Sequence, residues 1–357
     1  MKPEIIKNKN DTLHKQKQEK NDEYYTLLTD IENELHNYKE HFKDKVIYCN
    51  CDDPRVSNFF KYFSWQFEYF GLKKLITTCY KNRNWDMFSE HEDEQAIKII
   101  YKGDIDKNNK PTKMVKKELK GDGDFRSREC VELLKESDIV VTNPPFSLFR
   151  EFVEQMMLYN KKFIIIGNIN AAATKEIFPL IKENKIWLGV KSCNADWYFD
   201  IPDHYKDRLR RESKEGSGYV IMDGVMRAKL RNASWYTNLE HYIRREGLVK
   251  YKLYKWYEDD PAFYPKYDNY DAIEVNRVAD IPRDYKGVMG VPITFLNQYN
   301  PNEFEIVGSS RYHEPNPTIQ NDINYINGKQ IYTRILIKHK NPENKVDFTN
   351  YFKDNIK

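Results

Sequence analysis

The feature that most constrains the fold is a series of short β-branched segments separated by stretches with helical periodicity. Five such segments occupy residues 45–49, 74–79, 96–101, 138–142 and 162–166. Helical patterns lie between several of them, at 56–70, 130–134 and 149–159. Strands that alternate with helices predict an α/β fold around a mostly parallel sheet. In such a sheet, ligands bind beyond the carboxyl ends of the strands.

The two ends of the chain differ from this central pattern. Residues 1–20 are polar and almost free of large apolar side chains, so we expect a disordered leader. Past residue 190 the alternation breaks, and Tyr, Trp, Arg, Pro and Gly are scattered. We therefore predict an α/β domain over 21–197, completed by strands within 230–240 and 290–308, and an α+β region over 198–357. Residues 290–296 and 304–308 read as two strands joined by a turn at 300–302.

Composition narrows the class of protein. The chain has 357 residues with 58 Lys+Arg against 55 Asp+Glu, so its net charge of +3 neither supports nor excludes a nucleic-acid partner. No apolar stretch reaches the roughly 20 residues of a membrane span, and the N-terminus lacks the apolar core of a signal peptide. We expect a cytoplasmic protein without a membrane partner. Its 5 Cys show no disulfide or zinc spacing, and we expect no metal.

One motif stands out. A buried strand at 138–142 runs directly into Asn143-Pro144-Pro145-Phe146. Because proline lacks an N–H and has a fixed φ, neither a strand nor a helix continues through the pair, and the turn is rigid. The Asn143 side chain is thereby presented at the edge of the sheet where ligands bind. The alternative is a purely structural turn followed by a core phenylalanine.

The motif suits methylation of a planar amino group. Such an amino group is a poor nucleophile because its lone pair is delocalised. The amide oxygen of Asn143 and the carbonyl of Pro144 could accept its two hydrogens and aim the nitrogen at a methyl donor, by alignment and electrostatics. Phe146 could stack on a base rotated out of a duplex.

The motif resembles the Asp/Asn/Ser-Pro-Pro-Tyr/Phe signature of S-adenosylmethionine-dependent enzymes that methylate amino groups. That signature also occurs in enzymes acting on guanine in ribosomal RNA or on a protein glutamine. Further segments over residues 20–310 resemble the EcoRI-type adenine methyltransferases of restriction-modification systems. This resemblance implies that the cofactor is bound by Tyr24, Tyr25, Thr26, Cys49, Asn50, Cys51, Asp53, Pro54, Ser57, Asp124 and Phe125.

Within that set, the resemblance assigns Asp124 to the amino group of the cofactor adenine and Phe125 to its ring. The sequence departs from the family pattern in the predicted cofactor loop that follows the first strand, where Ser57 and Phe59 stand in place of glycines. An acidic residue for the ribose hydroxyls is also missing at the end of the second strand, where Cys79-Tyr80 stands. The detailed cofactor contacts should therefore differ from those of the family.

The resemblance implies a Rossmann-like S-adenosylmethionine-dependent methyltransferase fold with a target-recognition region. It further implies transfer of a methyl group to the N6 atom of a flipped adenine in double-stranded DNA. We expect a monomer, with a restriction endonuclease of the same specificity as a possible partner. The alternatives are an amino methyltransferase for ribosomal RNA or a protein glutamine, and a nucleic-acid-binding protein that has lost catalysis.

Basic residues cluster in the second half of the chain. Lysine and arginine can neutralise DNA phosphates or simply form a solvated face. The candidates for DNA binding are Arg208, Arg210, Arg211, Arg227, Lys229, Arg231, Arg244 and Arg245.

Overall fold

A computed structural model of the chain describes residues 24–51, 53, 55, 57–79, 96–108, 110–310 and 325–343. The expected leader at 1–20 and Pro54 lie outside these residues. The chain forms two compact units: unit 1 comprises 1–169 and 186–241, and unit 2 comprises 170–185 and 242–357. No helix in the part of the chain that the structure describes is both long and apolar enough to cross a membrane.

Most helices are short. Their bounds are α1 Leu28–Leu35, α2 Lys39–Phe42, α3 Asn58–Trp65, α4 Phe67–Phe70, α5 Arg128–Glu136, α6 Phe149–Leu158, α7 Phe178–Lys182 and α8 Asp203–Glu212. Serine side chains cap two of them, since Ser57 caps α3 and Ser127 accepts from the backbone of Cys130 at the start of α5. A 3₁₀ turn, His36–Tyr38, directly continues α1.

The strands of unit 1 belong to two sheets. Their bounds are β1 Tyr25–Thr26, β2 Val46–Cys49, β3 Lys74–Thr78, β4 Ile97–Tyr101, β5 Val115–Glu118, β6 Ile139–Thr142, β7 Lys162–Asn168, β8 Trp187–Leu188, β9 Trp197–Asp200, β10 Tyr219–Met222, β11 Val225–Leu230 and β12 Ala233–Thr237. All residues of β2 and β6 are buried, which fits continuous apolar runs covered on both faces.

The larger sheet is mixed, so the prediction of a mostly parallel sheet was wrong. Its order is β5-β4-β3-β2-β6-β7-β12-β8. The central strands β3, β2, β6 and β7 are parallel. The flanking strands β4, β5, β12 and β8 all pair antiparallel. Buried β-branched runs identify strands but do not encode pairing direction, which depends on the connections between them.

The smaller sheet has the order β1-β9-β11-β10, with antiparallel pairs throughout. Its inner face carries Phe199 and Ala228, both fully buried in the core of unit 1. Trp197 lies at the start of β9 and is also fully buried. This sheet therefore packs on the same core that covers the larger one.

The compact units differ from the predicted boundary at residue 197. Residues 198–241 belong to unit 1 because β9 and β11 pair with each other and β12 lies between β7 and β8. The other segment expected to complete the large sheet, 290–308, forms part of a separate sheet in unit 2. Its residues 293–298 form a 3₁₀ helix, Ile293–Gln298, where we expected strand to continue.

Unit 2 is built around a four-stranded sheet of order β13-β14-β18-β15. The bounds of its strands are β13 Ala272–Glu274, β14 Val288–Pro292, β15 Phe304–Ser309 and β18 Arg334–His339. A separate two-stranded sheet consists of β16 Tyr325–Ile326 and β17 Lys329–Gln330. The two predicted strands, β14 and β15, do not pair directly, because β18 lies between them. A buried ion pair joins Arg334 on β18 to Glu274 on β13, with 2.6 Å between Nε and Oε1.

Candidate active site

The carboxyl end of β6 presents Asn143. The Thr142 hydroxyl donates to the backbone carbonyl of Asn50 and ties β6 to the end of β2. The Asn143 amide nitrogen donates to the carbonyl of Tyr24 over 2.9 Å. Its Oδ1 atom is buried and accepts no hydrogen bond from any residue that the structure describes. The amide nitrogen of Asn143 is thus held by a hydrogen bond, whereas its amide oxygen remains able to accept one.

The two prolines hold the chain that follows. Pro144 is buried, and Pro145 has a φ of −53°, the value its ring imposes. A short 3₁₀ turn, Phe146–Leu148, then leads into α6, and the Leu148 amide donates to the Pro145 carbonyl over 3.0 Å. The Phe146 ring packs against the core of unit 1 but stays partly exposed. This leaves part of its surface available to a ligand.

Two more strand ends contribute polar atoms. Thr26, in β1, is buried, and its hydroxyl has no hydrogen-bond partner among the described residues. Its carbonyl accepts from Asn58 over 2.8 Å. Asn50, which follows β2, is also buried, and its amide oxygen accepts no hydrogen bond from the residues that the structure describes. Buried polar atoms are normally hydrogen-bonded, so this strand-end cluster of Thr26, Asn50 and Asn143 points to a polar ligand.

Around Asn50, the chain leaves the sheet sharply. Cys49 is the last residue of β2 and is buried, whereas Cys51 is partly exposed and has a φ of +58°. This left-handed conformation is unusual for a residue with a side chain and marks an abrupt turn. The five cysteines are free thiols.

Two described residues of the segment predicted to contact the cofactor, Asp53 and Ser57, have partners within the protein. The Asp53 carboxylate forms an ion pair with the Arg55 guanidinium. The Ser57 hydroxyl accepts from the backbone of Phe59 over 3.0 Å and of Phe60 over 3.4 Å. Ser57 is therefore a helix cap. Phe59, where a glycine was expected, is a buried core residue that packs edge-on to Trp235.

Gly123 brings the Asp124-Phe125 turn to the end of β3. Its φ is +79°, and a Cβ at this position would lie 2.0 Å from the carbonyl oxygen of Cys79. Both carboxylate oxygens of Asp124 accept from Arg126, over 2.9 Å to Nε and 2.7 Å to Nη2. These bonds hold the pKa of Asp124 below its usual value. Arg126 also contacts Glu151 on α6, so the turn is fastened to that helix.

Phe125 lies in the core. Its side chain is 3% exposed and meets the Phe152 ring edge-on, with 5.1 Å between centroids. The structure therefore does not support the expectation that Phe125 stacks on the cofactor adenine. Gln155, which the sequence did not single out, donates to the Phe125 carbonyl over 3.1 Å. Gln155 could have been singled out from the sequence as a polar residue on the apolar face of the predicted helix.

The candidate DNA-binding residues fall into three groups: ion-paired, exposed and buried. Arg208 pairs with Glu212, Arg210 with Asp207, Arg227 with Asp200, and Lys229 and Arg231 with Asp196. Arg211 and Arg245 are exposed.

Arg244 contradicts the expectation of phosphate binding. Its side chain is 6% exposed, donates to Asn184 over 3.3 Å and lies over the Tyr299 ring.

A further basic segment was missed. Residues 249–257 alternate lysine with aromatic side chains, and Tyr251 and Trp256 are exposed. Lys252 lies over the stacked rings of Tyr257 and Phe263. The alternation was visible in the sequence as a basic stretch with interleaved aromatics, a pattern typical of nucleic-acid contacts.

Comparison with known proteins identifies the family of the chain. Residues 12–340 match the family model described as adenine-specific methyltransferase EcoRI. The Type II methyltransferase M.EcoRI of Escherichia coli is 49% identical over 93% of this chain and 97% of its own. M.MgeORF184P of Mycoplasma genitalium is 37% identical over 91% and 98%, and M.MpnI of Mycoplasma pneumoniae is 35% identical over 92% and 98%. No solved structure matches. The chain therefore belongs to the EcoRI family of adenine-specific methyltransferases.

Proposed function

We propose that the chain transfers a methyl group from S-adenosylmethionine to the N6 atom of a flipped adenine in double-stranded DNA. The observation that carries this proposal is the Asn143 side chain, whose amide nitrogen is held by Tyr24 while its buried amide oxygen is open. An acceptor fixed in this way suits a planar amino group, which has two hydrogens to donate.

The residues of the chain activate the nitrogen by position and polarity. Asn143 Oδ1 and the Pro144 carbonyl accept the two N6 hydrogens, which shifts electron density onto the nitrogen. When bound, S-adenosylmethionine would supply the methyl group to the N6 lone pair, and the electrons of the broken carbon–sulfur bond would stay on sulfur. The extra proton on N6 then passes to solvent. Because methylation leaves the nitrogen cationic, this proton is strongly acidic, and no general base of high pKa is needed.

Several residues fit the cofactor. The Thr26 hydroxyl and the Asn50 amide oxygen are buried, unsatisfied polar atoms at neighbouring strand ends of the strand-end cluster. The Gly123 turn places Asp124 beside the end of β3, where a Rossmann-like methyltransferase fold would hold the cofactor adenine. Asp124 Oδ1 accepts from both the backbone N and the Nε of Arg126, whereas Oδ2 accepts from Nη2 alone, so Oδ2 can still accept from an adenine amino group while Arg126 stays bound.

Phe146 is proposed to stack on the flipped adenine. Its ring follows the two prolines directly and is partly exposed, unlike the buried Phe149 that begins α6. An aromatic face beside the acceptor pair would hold the base plane while N6 reacts.

We propose that unit 2 carries most of the target recognition. Its exposed segment at 249–257 combines Lys255 with the aromatic rings of Tyr251 and Trp256, which suits contacts to phosphates and bases. Exposed Arg211 in unit 1 and Arg245 in unit 2 are further candidates for phosphates. The proposal places a monomeric enzyme in the cytoplasm, where chromosomal DNA lies, with a cognate endonuclease as its partner in restriction-modification.

Expression in a bacterium that lacks DNA methylation tests the proposal. Sequencing of genomic DNA by a method that detects modified bases should find N6-methyladenine at one short motif. Cells that express Asn143→Ala provide the control and should show none. Unmodified DNA together with methylated ribosomal RNA or protein would overturn the proposal.

A further inference from the structure

A short N-terminal strand, β1, lies beside the catalytic loop. It pairs with β9 in the smaller sheet, where Tyr25 lies opposite Asp200 and Thr26 opposite Phe199. The ring of Tyr24, the residue before β1, lies 6.0 Å from the Phe199 ring, measured between centroids. The segment 24–26 is therefore fastened to unit 1 both by its backbone and by an aromatic contact.

Two asparagine side chains donate to backbone carbonyls of this segment. The amide nitrogen of Asn143 donates to the Tyr24 carbonyl over 2.9 Å, and that of Asn58 donates to the Thr26 carbonyl over 2.8 Å. Asn58 is the first residue of α3 and follows its Ser57 cap, so the start of that helix fixes its place. Asn58 thus holds β1 from the side of α3, and the residue before β1 in turn holds Asn143.

The contact with Tyr24 determines which atom of the Asn143 amide faces a ligand. A backbone carbonyl only accepts hydrogen bonds, so the amide nitrogen, which only donates, is the atom that faces it. The amide oxygen points away from this carbonyl and is buried without a donor among the described residues. An amide turned by half a rotation would instead present N–H groups to the N6 amino group, which also donates. The Tyr24 carbonyl therefore keeps the acceptor directed at the target.

The same contact disfavours a carboxylate at position 143. The signature that the motif resembles admits aspartate, asparagine or serine there. An ionised aspartate has only acceptors, so one of its oxygens would face the Tyr24 carbonyl oxygen. Both this neighbour and burial favour the neutral acid. A protonated aspartate can donate its O–H to Tyr24 while its other oxygen accepts, which reproduces the bonding of Asn143.

We infer that the Tyr24 carbonyl selects asparagine over aspartate at position 143, and that Asn58 is a positioning residue that acts on catalysis through β1. This inference rests on the proposed function, because it assigns both contacts to the orientation of the group that accepts from N6. It adds a residue outside the motif to the catalytic apparatus and gives a reason for the first residue of the motif.

Other ionisable side chains surround β1 and the end of β6. Arg208 interacts with Tyr24 and Arg55 with Tyr25, and each arginine is also paired with an acid. The ionisable residues on these elements are Tyr24, Tyr25, Cys49, Cys51, Asp53, Arg55, Asp124, Arg126, Arg208 and Glu212. All of them are present in wild type and in variants at position 143. The ratio of the variant rate to the wild-type rate at each pH therefore isolates the group introduced at 143.

The first test is the pH dependence of Asn143→Asp. The measured quantity is the single-turnover methylation rate of a duplex that carries the motif recovered from genomic sequencing, with saturating S-adenosylmethionine. At about pH 8 the variant should be roughly 10²-fold slower than wild type, because an ionised carboxylate repels the Tyr24 carbonyl. As the pH falls to about 6, the ratio to wild type should rise about tenfold or more, because the protonated acid regains the donor.

The second test is a double-mutant cycle between Asn58 and Asn143. Asn58→Ala alone should lower the single-turnover rate about fivefold to tenfold, whereas in the Asn143→Ala background it should change the residual rate less than about twofold. The reason is that no amide remains to be oriented. Asn37→Ala is the matched control, since its amide also donates to two backbone carbonyls, of Asn33 and Glu34, and it should match wild type.

The outcomes separate the inference from the proposed function. If wild type methylates no DNA, the proposed function fails. If wild type methylates DNA and Asn143→Asp is as fast at pH 8, or keeps a constant ratio to wild type across the pH range, the selection of asparagine is overturned. Equal losses from Asn58→Ala in both backgrounds would overturn its positioning role. The cycle contains no aspartate, so it tests the orientation even where the Asn143→Asp protein does not fold.

Discussion

Two groups of polar residues in unit 1 differ in how their hydrogen bonds are satisfied. In the strand-end cluster, Thr26 Oγ1, Asn50 Oδ1 and Asn143 Oδ1 are buried without partners among the described residues. By contrast, Asp53 and Asp124 are each occupied by an arginine two residues further along the chain. An unsatisfied buried polar group costs about 1–3 kcal/mol, so only the first group gains when a ligand supplies its hydrogen bonds.

This difference separates two tasks. The strand-end cluster is arranged to receive a ligand and should control the reaction. The acid–arginine pairs already satisfy themselves and should control the shape of the loops that surround the ligand. Substitutions in the two groups should therefore change different measured quantities.

Asn143→Ala should have the largest effect. Removing the open acceptor should lower kcat by about 10²–10³, as loss of one group that stabilises developing charge does elsewhere, or about 2.7–4 kcal/mol in the barrier. Affinity for S-adenosylhomocysteine, measured by isothermal titration, should stay within a few fold. A folded Asn143→Ala protein that binds no S-adenosylhomocysteine would show that the residue serves the cofactor, and the comparison would fail.

Gly123→Ala should come next. The added Cβ meets the Cys79 carbonyl and the residue already has a positive φ, so the turn must shift. The free energy of unfolding should fall by roughly 1–3 kcal/mol, and cofactor affinity should fall with it. Gly121→Ala is the matched control, since its Cβ would have no neighbour within 4 Å, and chemical denaturation should find it close to wild type. Equal effects of the two substitutions would show that Gly123 does not position the turn.

Phe146→Ala should weaken the flipped state. Loss of a stacking partner typically removes about 1–3 kcal/mol of binding per base. Fluorescence of 2-aminopurine at the target should fall, whereas Phe146→Tyr should retain the signal because it keeps the ring. An unchanged signal in Phe146→Ala would count against stacking.

Arg126→Ala should have the smallest effect and a distinctive pH dependence. Without the guanidinium, the lowered pKa of Asp124 should return upward, so the variant protonates at a higher pH than wild type. If ionised Asp124 accepts from the cofactor, affinity for S-adenosylhomocysteine should drop a few fold, and the gap to wild type should widen as pH falls from about 5 toward the ordinary pKa of an aspartate, about 3.9. Arg128→Ala, which removes a nearby exposed charge, should show neither effect. A gap independent of pH would assign Arg126 to packing alone.

The catalytic strand and its motif were predictable from the sequence because both depend on local chemistry. A β-branched run before two prolines fixes where β6 ends and where Asn143 stands. The same holds for the helix α5, which begins at the Ser127 cap. These features need only the neighbouring residues to form.

Features that depend on distant partners were not predictable. At one edge of the large sheet, β12 enters antiparallel between β7 and β8 from far along the chain. Phe125 was assigned to the cofactor by resemblance, yet Phe152 on α6 takes its ring into the core. The Asp223-Gly224 pair is a local sequence signal for a hairpin turn, which here joins β10 and β11. The pairing of that hairpin with β9, however, could not be predicted from neighbouring residues.

The segment 170–185 has a consequence for the order of synthesis. It is made directly after β7, but its helix α7 belongs to unit 2 and contacts β15, which leaves the ribosome much later. The large sheet is also incomplete until β12 emerges to join β7 and β8. The nascent chain must therefore hold α7 without its partners while unit 1 closes, and a single cut in the gene cannot separate the two units, because 170–185 lies between the two parts of unit 1.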